Sequence, residues 1–204
     1  MRLVNSKKDC LLVIFEGVDG SGKTTQIELA KQALQESNII VQTTRNLGGS
    51  VIGEELRKAI LSPAPRPPLT DLYIGAAIQE ALAEELDNYR KQCQVILMDR
   101  GPISLAAYNL ETDKLAWQFA DLGIKKFKPD LIIYYDLPLE KAKQRLALRA
   151  EAKNYFEDKP IDYLKSVSKN LLAGADKYKA VIIDADQSIE TVHKRTVELI
   201  TTLL

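Results

Sequence analysis

The sequence predicts an α/β fold: a five-stranded parallel sheet with helices on both faces. Three observations carry that prediction. Short apolar runs alternate with amphipathic helical stretches along the whole chain, the pattern of parallel strands joined by crossover helices. The runs are almost uninterrupted in their apolarity, as strands buried on both faces must be. Polar and charged residues close these runs, in "EG…DG", "TTR", "MDR", "YYD" and "IDAD", and open parallel sheets bind their ligands at the carboxyl ends of the strands.

The elements follow in order. "LLVIFEG" (11–17) reads as a buried strand stopped by glycine. A helix from Lys23 to about Ser37 has Ile27, Ala30 and Leu34 on one face. "IIVQTT" (39–44) is a second strand, and "LGGS" opens a loop into a helix over 51–61. "SPAPRPPLT" (62–70) holds four of the eight prolines. It reads as a stiff loop rather than a linker between domains, because helical periodicity resumes at once, from Asp71 to about Lys91. "QVILMDR" (94–100) is the third strand. Helices near 103–109 and 112–125 lead to "PDLIIYYDLP" (129–138), the fourth. A charged helical stretch (139–151), a helix (160–178), the strand "AVIIDAD" (180–186) and a closing helix (188–202) complete a single domain over 1–204.

Composition narrows the function. Lys plus Arg equals Asp plus Glu at 28 each, so no global field draws the chain to a nucleic acid polymer or an anionic membrane, and any basic site is local. Cys10 and Cys93 stand outside any CxxC or metal-ligand spacing and are expected to be reduced thiols in or beside strands. A lone late histidine, His193, argues against a Ser-His triad or a histidine-rich metal site. The opening "MRLVNSKKDC" lacks a signal peptide's apolar core, and no apolar run reaches the roughly 20 residues of a membrane helix. A cytoplasmic enzyme is expected.

Gly17-Val18-Asp19-Gly20-Ser21-Gly22-Lys23-Thr24 satisfies GxxxxGK[ST], directly after a buried strand and at a helix start. This is the phosphate loop of a three-layer P-loop NTPase fold. Its glycines let backbone amides turn onto phosphates, and the helix amino terminus adds partial positive charge. Lys23 is expected to bridge the β and γ phosphates of ATP, Thr24 to hold Mg²⁺, and Thr25 to complete the nucleotide site. Asp19, acidic within a phosphate cradle, reads either as a solvated carboxylate or as a contact to a second substrate, direct or through Mg²⁺. Asp99 reads as the holder of a metal-bound water and Arg100 as a bidentate phosphate ligand, with Arg45 and Arg57 as further cations for an acceptor phosphate. Arg145 and Arg149 stand at i and i+4, extended by Lys141 and Lys153, and read as a lid over about 145–158 or as a solvated helix face.

With these residues in place, the chain resembles the thymidylate kinase family. The resemblance covers nearly the whole sequence and rests on "FEGVDGSGKTTQ", "TTRNLGGSVIGEELRKAIL", "MDRGPISLAAY", "PDLIIYYDLPLEKAKQR" and "VIIDADQSIETV". It implies Mg²⁺-dependent phosphoryl transfer from ATP to a deoxynucleoside monophosphate by a homodimer. It also implies that Arg100 holds the acceptor phosphate, that Asp19 lies near the acceptor sugar or metal, that Ser104 and Tyr108 belong to the substrate site, and that Tyr108 favours deoxyribose. Gly20 occupies the position where some members carry a catalytic arginine, so the lid is expected to supply it, from Arg149 first and Lys153 second.

The chain departs from the family in four places. Arg45-Asn46-Leu47-Gly48-Gly49-Ser50 stands where the family has R-E-P-G-G-T. Ile74 and Ile78 stand where an aromatic and an arginine read thymine, with Tyr73, Gln79 and Glu80 as candidates if the helix register shifts by a turn. Asn154-Tyr155-Phe156-Glu157 replaces a D-R-F-E-like lid segment, and Gly101 follows Asp99-Arg100 in place of an aromatic or histidine. dTMP is the expected acceptor. The competing readings are a kinase for another nucleotide or phosphorylated metabolite, and a non-catalytic nucleotide-binding homologue. A signal GTPase is disfavoured by the lack of an N-K-x-D sequence.

Overall fold

A computed structural model describes residues 10–148 and 159–204. Five strands, β1 (Leu11–Glu16), β2 (Val41–Arg45), β3 (Val95–Asp99), β4 (Leu131–Asp136) and β5 (Val181–Asp184), form one all-parallel sheet in the order β2-β3-β1-β4-β5. The helices are α1 (Lys23–Glu36), α2 (Val51–Leu61), α3 (Pro68–Tyr89), α4 (Pro102–Tyr108), α5 (Asp113–Phe127), α6 (Leu139–Ala147), α7 (Ile161–Lys177) and α8 (Ile189–Thr201). No helix among the described residues is long and apolar enough to cross a membrane.

The sequence of each strand matches its rank in the sheet. β1 is hydrogen-bonded on both edges, and all six of its residues are buried, including Leu12, Val13 and Phe15 without exposure. β2 and β5 lie at the edges, where one side meets water, and all their residues but the buried Ile183 are partly or fully exposed. One helical layer contains α1 packed on α8; the other joins α3, α4, α5 and α7. Phe15 stacks on Tyr135 at 5.8 Å between ring centres, within the core.

The element order matches the sequence expectations closely, and the boundary shifts have local causes. α3 starts at Pro68, ahead of the expected Asp71, because proline is well suited to the first helical position. β3 ends at Asp99 rather than Arg100, because Arg100 turns into left-handed backbone (φ 62°). The proline-rich loop is held by Arg66, which donates to the carbonyls of Ile60 (2.6 Å) and Ser62 (2.7 Å) and pairs with Asp71.

This topology sets the position of a binding crevice. The connection leaving β1 runs toward β2, while that leaving β3 runs the other way, toward β4. The loops after β1 and β3 therefore diverge, and a cleft opens between them at the carboxyl ends of the strands.

Candidate active site

The phosphate loop fills the turn between β1 and α1. Gly17 (φ 147°), Gly20 (φ 84°) and Gly22 (φ 94°) all adopt conformations that side chains disfavour. Gly20 is also sterically committed: a Cβ there would lie 2.5 Å from the Ala142 carbonyl oxygen of α6. An arginine is thus excluded from this position by packing as well as by backbone. Val18 is buried, and its carbonyl accepts from Lys23 and from the Ser21 amide.

The Lys23 Nζ donates to the carbonyls of Gly17 and Val18, each at 3.0 Å. Burial lowers its pKa to about 8, with Arg100 pushing the same way and Asp99, Asp19 and Glu16 opposing. The Thr24 hydroxyl donates to Asp99 Oδ2 at 3.3 Å, while Thr25 is exposed. Asp99 Oδ1 and Ser21 Oγ are buried without a hydrogen-bond partner. Buried polar oxygens seldom remain so, and a hydroxyl beside a carboxylate is the hard-oxygen donor set that Mg²⁺ takes. The residues present therefore fit a polyphosphate with its divalent ion.

Arg100 crosses to the same loop. Its Nη2 contacts Asp19 Oδ1 at 2.5 Å and the Tyr108 hydroxyl at 3.3 Å; its Nη1 reaches the Gly17 carbonyl at 3.2 Å and Ser104 Oγ at 3.1 Å. The guanidinium sits 5.1 Å from the centre of the Tyr108 ring, and the Tyr108 hydroxyl donates to Asp19 Oδ2 at 3.0 Å. Burial alone would raise the Asp19 carboxyl, but the Arg100 and Lys23 charges and these hydrogen bonds hold it at about 2. Asp19 is therefore an ion-paired carboxylate, not a solvated one.

Two other arginines form a second group. Arg45, level with Asp99 across the sheet, pairs with Glu54 at 2.7 Å. Arg57 donates to the Leu47 carbonyl at 2.5 Å, and its electrostatic neighbours are Arg45, Glu54, Asp99 and Arg100. An open groove passes Thr24, Thr44, Arg45, Ser50, Glu54 and Asp99. On the other side of the loop a space is bounded by Asp19, Tyr108, Leu139, Leu146 and Val167.

Several expected site residues lie differently. Ser104 is 7% exposed, and its hydroxyl is bonded to Glu16 and Arg100, so it supports Arg100 rather than facing a substrate. Ile78 is fully buried and presents no surface to a base, because α3 turns this position inward; Ile74 is half-buried. Of the shifted-register candidates, Gln79 donates to the Phe119 carbonyl (3.0 Å) and Glu80 pairs with Lys126, while Tyr73 is exposed. Arg145 bonds the Ala185 carbonyl at 3.0 Å and lies beside Gly22, and Lys141 pairs with Asp186. Arg149, Lys153 and Asn154 to Glu157 lie outside the described residues.

Sequence reading missed Glu16. It is fully buried, and its carboxylate accepts from the Gly101 amide (2.8 Å), the Ser104 amide (3.1 Å) and the Ser104 hydroxyl (2.5 Å). The available signal was an acid ending an otherwise apolar strand, since a buried carboxylate requires partners.

The sequence matches the thymidylate kinase family over residues 15–196. It is similar to the thymidylate kinase of Mesoplasma florum, at 32% identity over 93% of this chain and 94% of that protein. It is also similar to those of Cupriavidus metallidurans and Cupriavidus pinatubonensis, each at 31% identity over 94% of this chain and 98% of the relative. With a phosphate loop and a facing arginine joined at the β1–β3 cleft, and with likeness along nearly its whole length, this chain belongs to the thymidylate kinase family.

Proposed function

We infer that the chain transfers the γ-phosphoryl group of ATP to dTMP, giving dTDP. The observation that carries this reading is the Arg100 guanidinium meeting Asp19 of the phosphate loop at 2.5 Å. A cation at the end of β3 beside an ammonium at the end of β1 serves two anions that must be drawn together. Phosphoryl transfer of this kind needs positioning and charge stabilisation rather than a protein nucleophile.

In this reading the Gly17–Thr25 loop takes the donor phosphates, and Lys23 exchanges its two carbonyl contacts for phosphate oxygens. Thr24 and Asp99 would hold Mg²⁺, which neutralises charge on the donor phosphates when bound. Arg100 takes the acceptor phosphate, in competition with Asp19 for the guanidinium. Asp19 and Tyr108 border the acceptor sugar, and Arg45 and Arg57 add positive potential along the groove. Arg149, with Lys153 second, is assigned to the transferring phosphoryl group. A cytoplasmic homodimer completes the proposal; exposed Val51 and Ile52 on α2, and Leu69 and Tyr73 on α3, support the association.

Steady-state ATP consumption against a panel of monophosphates tests the reading, with dTMP expected to stimulate most. Turnover that no acceptor raises above basal hydrolysis overturns it. Arg100→Ala is expected to lower kcat/KM for dTMP on the order of 100-fold while leaving ATP affinity near normal. Equal loss of ATP affinity would place Arg100 on the donor instead.

A further inference from the structure

Glu16 is the deepest acidic group near the site: it has no exposure and lines neither the groove past Arg45 nor the space beside Asp19. Its oxygens divide their work. Oε1 accepts from the amides of Gly101 and Ser104, at 2.8 and 3.1 Å, which fixes the start of α4 against the end of β1. Oε2 accepts the Ser104 hydroxyl at 2.5 Å, and that same Oγ accepts from Arg100 Nη1 at 3.1 Å. The Arg100 amide in turn donates to the Phe15 carbonyl at 2.8 Å, one residue before Glu16.

We propose that Glu16 is a positioning residue for Arg100, acting through the Ser104 hydroxyl and the first turn of α4. This rests on the reading of Arg100 as the acceptor-phosphate ligand. Arg100 needs such support because its backbone is left-handed (φ 62°), a strained conformation for a non-glycine residue that persists only where its surroundings enforce it. The turn is also tightly walled: a Cβ on Gly101 would stand 2.8 Å from Ile14 Cγ2 and 3.3 Å from Glu16 Oε1.

The chemistry requires a carboxylate, not merely a polar group. A serine hydroxyl has one proton. Glu16 Oε2 takes it, so the lone pairs of Oγ are left for the Arg100 N–H. An amide at position 16 breaks this order in either orientation. With its NH₂ toward Ser104, the hydroxyl proton loses its carboxylate acceptor and the amide N–H competes for the Oγ lone pairs that Arg100 uses. With its oxygen toward Ser104, the NH₂ faces the Gly101 and Ser104 amides, donor against donor. Either way the guanidinium loses a fixed acceptor, and displacement of about 1 Å at a reacting centre can cost on the order of 100-fold.

The test uses Glu16→Gln and Ser104→Ala, with KM for dTMP and for ATP, calorimetric dTMP affinity and thermal midpoint measured on each. Both variants are expected to raise dTMP KM and Kd on the order of 10- to 100-fold, with ATP KM held within about twofold. Because the two changes cut one chain, the double variant is expected to be no worse than the more severe single variant. Should Glu16→Gln fail to fold, Ser104→Ala decides alone, since it keeps the carboxylate and both amide bonds. A dTMP Kd unmoved by Ser104→Ala overturns the role, as does equal loss of ATP and dTMP affinity in both variants, the mark of a purely structural contact. A wild-type chain that turns over no dTMP strikes instead at the kinase reading, which the binding arm leaves distinguishable.

Discussion

Lys23 and Asp19 lie in one loop and are shifted by one environment in ways that preserve opposite charges. Lys23 is 5% exposed, and burial brings its ammonium from 10.5 to about 8. A lysine depressed on folding lowers stability where both states are protonated, below about pH 8. That penalty is relieved as pH rises from about 8 toward 10.5, where the unfolded chain holds the extra proton. Polyphosphate binding reverses the shift, because nearby negative charge favours the ammonium. ATP affinity is therefore expected to fall as pH rises above about 8, by up to about tenfold per pH unit, with proton uptake on binding. Calorimetry in buffers of different ionisation enthalpy checks this, and Lys23→Met should abolish the proton uptake. Asp19, held at about 2, contributes ion-pair stability above the ordinary carboxylate range that disappears only as pH falls through that value.

Helix α3 shows how far periodicity reads an element and where it stops. The helix was legible from its spacing, and the structure adds that Leu72, Leu82 and Leu86 face inward. Which of Ile74 and Ile78 meets the cleft was not, since both are apolar and one turn apart. Ile78 turned out to be part of the packing. Ile78→Arg would put back the arginine that the family resemblance expects at this position. In this fold it would bury an unpaired guanidinium and is expected to cost on the order of 3 kcal/mol or more, with no gain in dTMP preference. Chemical denaturation and acceptor ranking of the variant check both halves. Ser104 carries the same lesson on α4. Sequence placed it near the acceptor, but only the register of α4 against Glu16 reveals that its hydroxyl faces Arg100.

Across the whole molecule, the active cleft and the two cysteines occupy opposite ends of the sheet. Cys10 precedes β1 and Cys93 precedes β3, so parallel pairing brings their sulfurs to 3.4 Å at the amino ends of the strands. Burial, together with the neighbouring thiol, pushes Cys10 up to about 12. A buried thiol kept protonated is a poor nucleophile. Both cysteines are expected to resist alkylation by iodoacetamide at neutral pH in the native protein and to react fully in denaturant, as mass spectrometry of the labelled chain would show. Alkylation of the native protein at the denatured rate would contradict this burial.

Features encoded over short range can be read from the chain alone: the order and type of the elements, the phosphate loop, and the polar residues that end each strand. Period and glycine placement are local, so they survive without knowledge of neighbours. Which of those strand ends meet emerges only from the folded chain. Asp19 and Arg100 are 81 residues apart, Glu16 and Ser104 are 88 apart, and each contact exists because β3 lies beside β1 in a particular register. Sheet order and register are set by the packing of the whole core, and no single segment carries them.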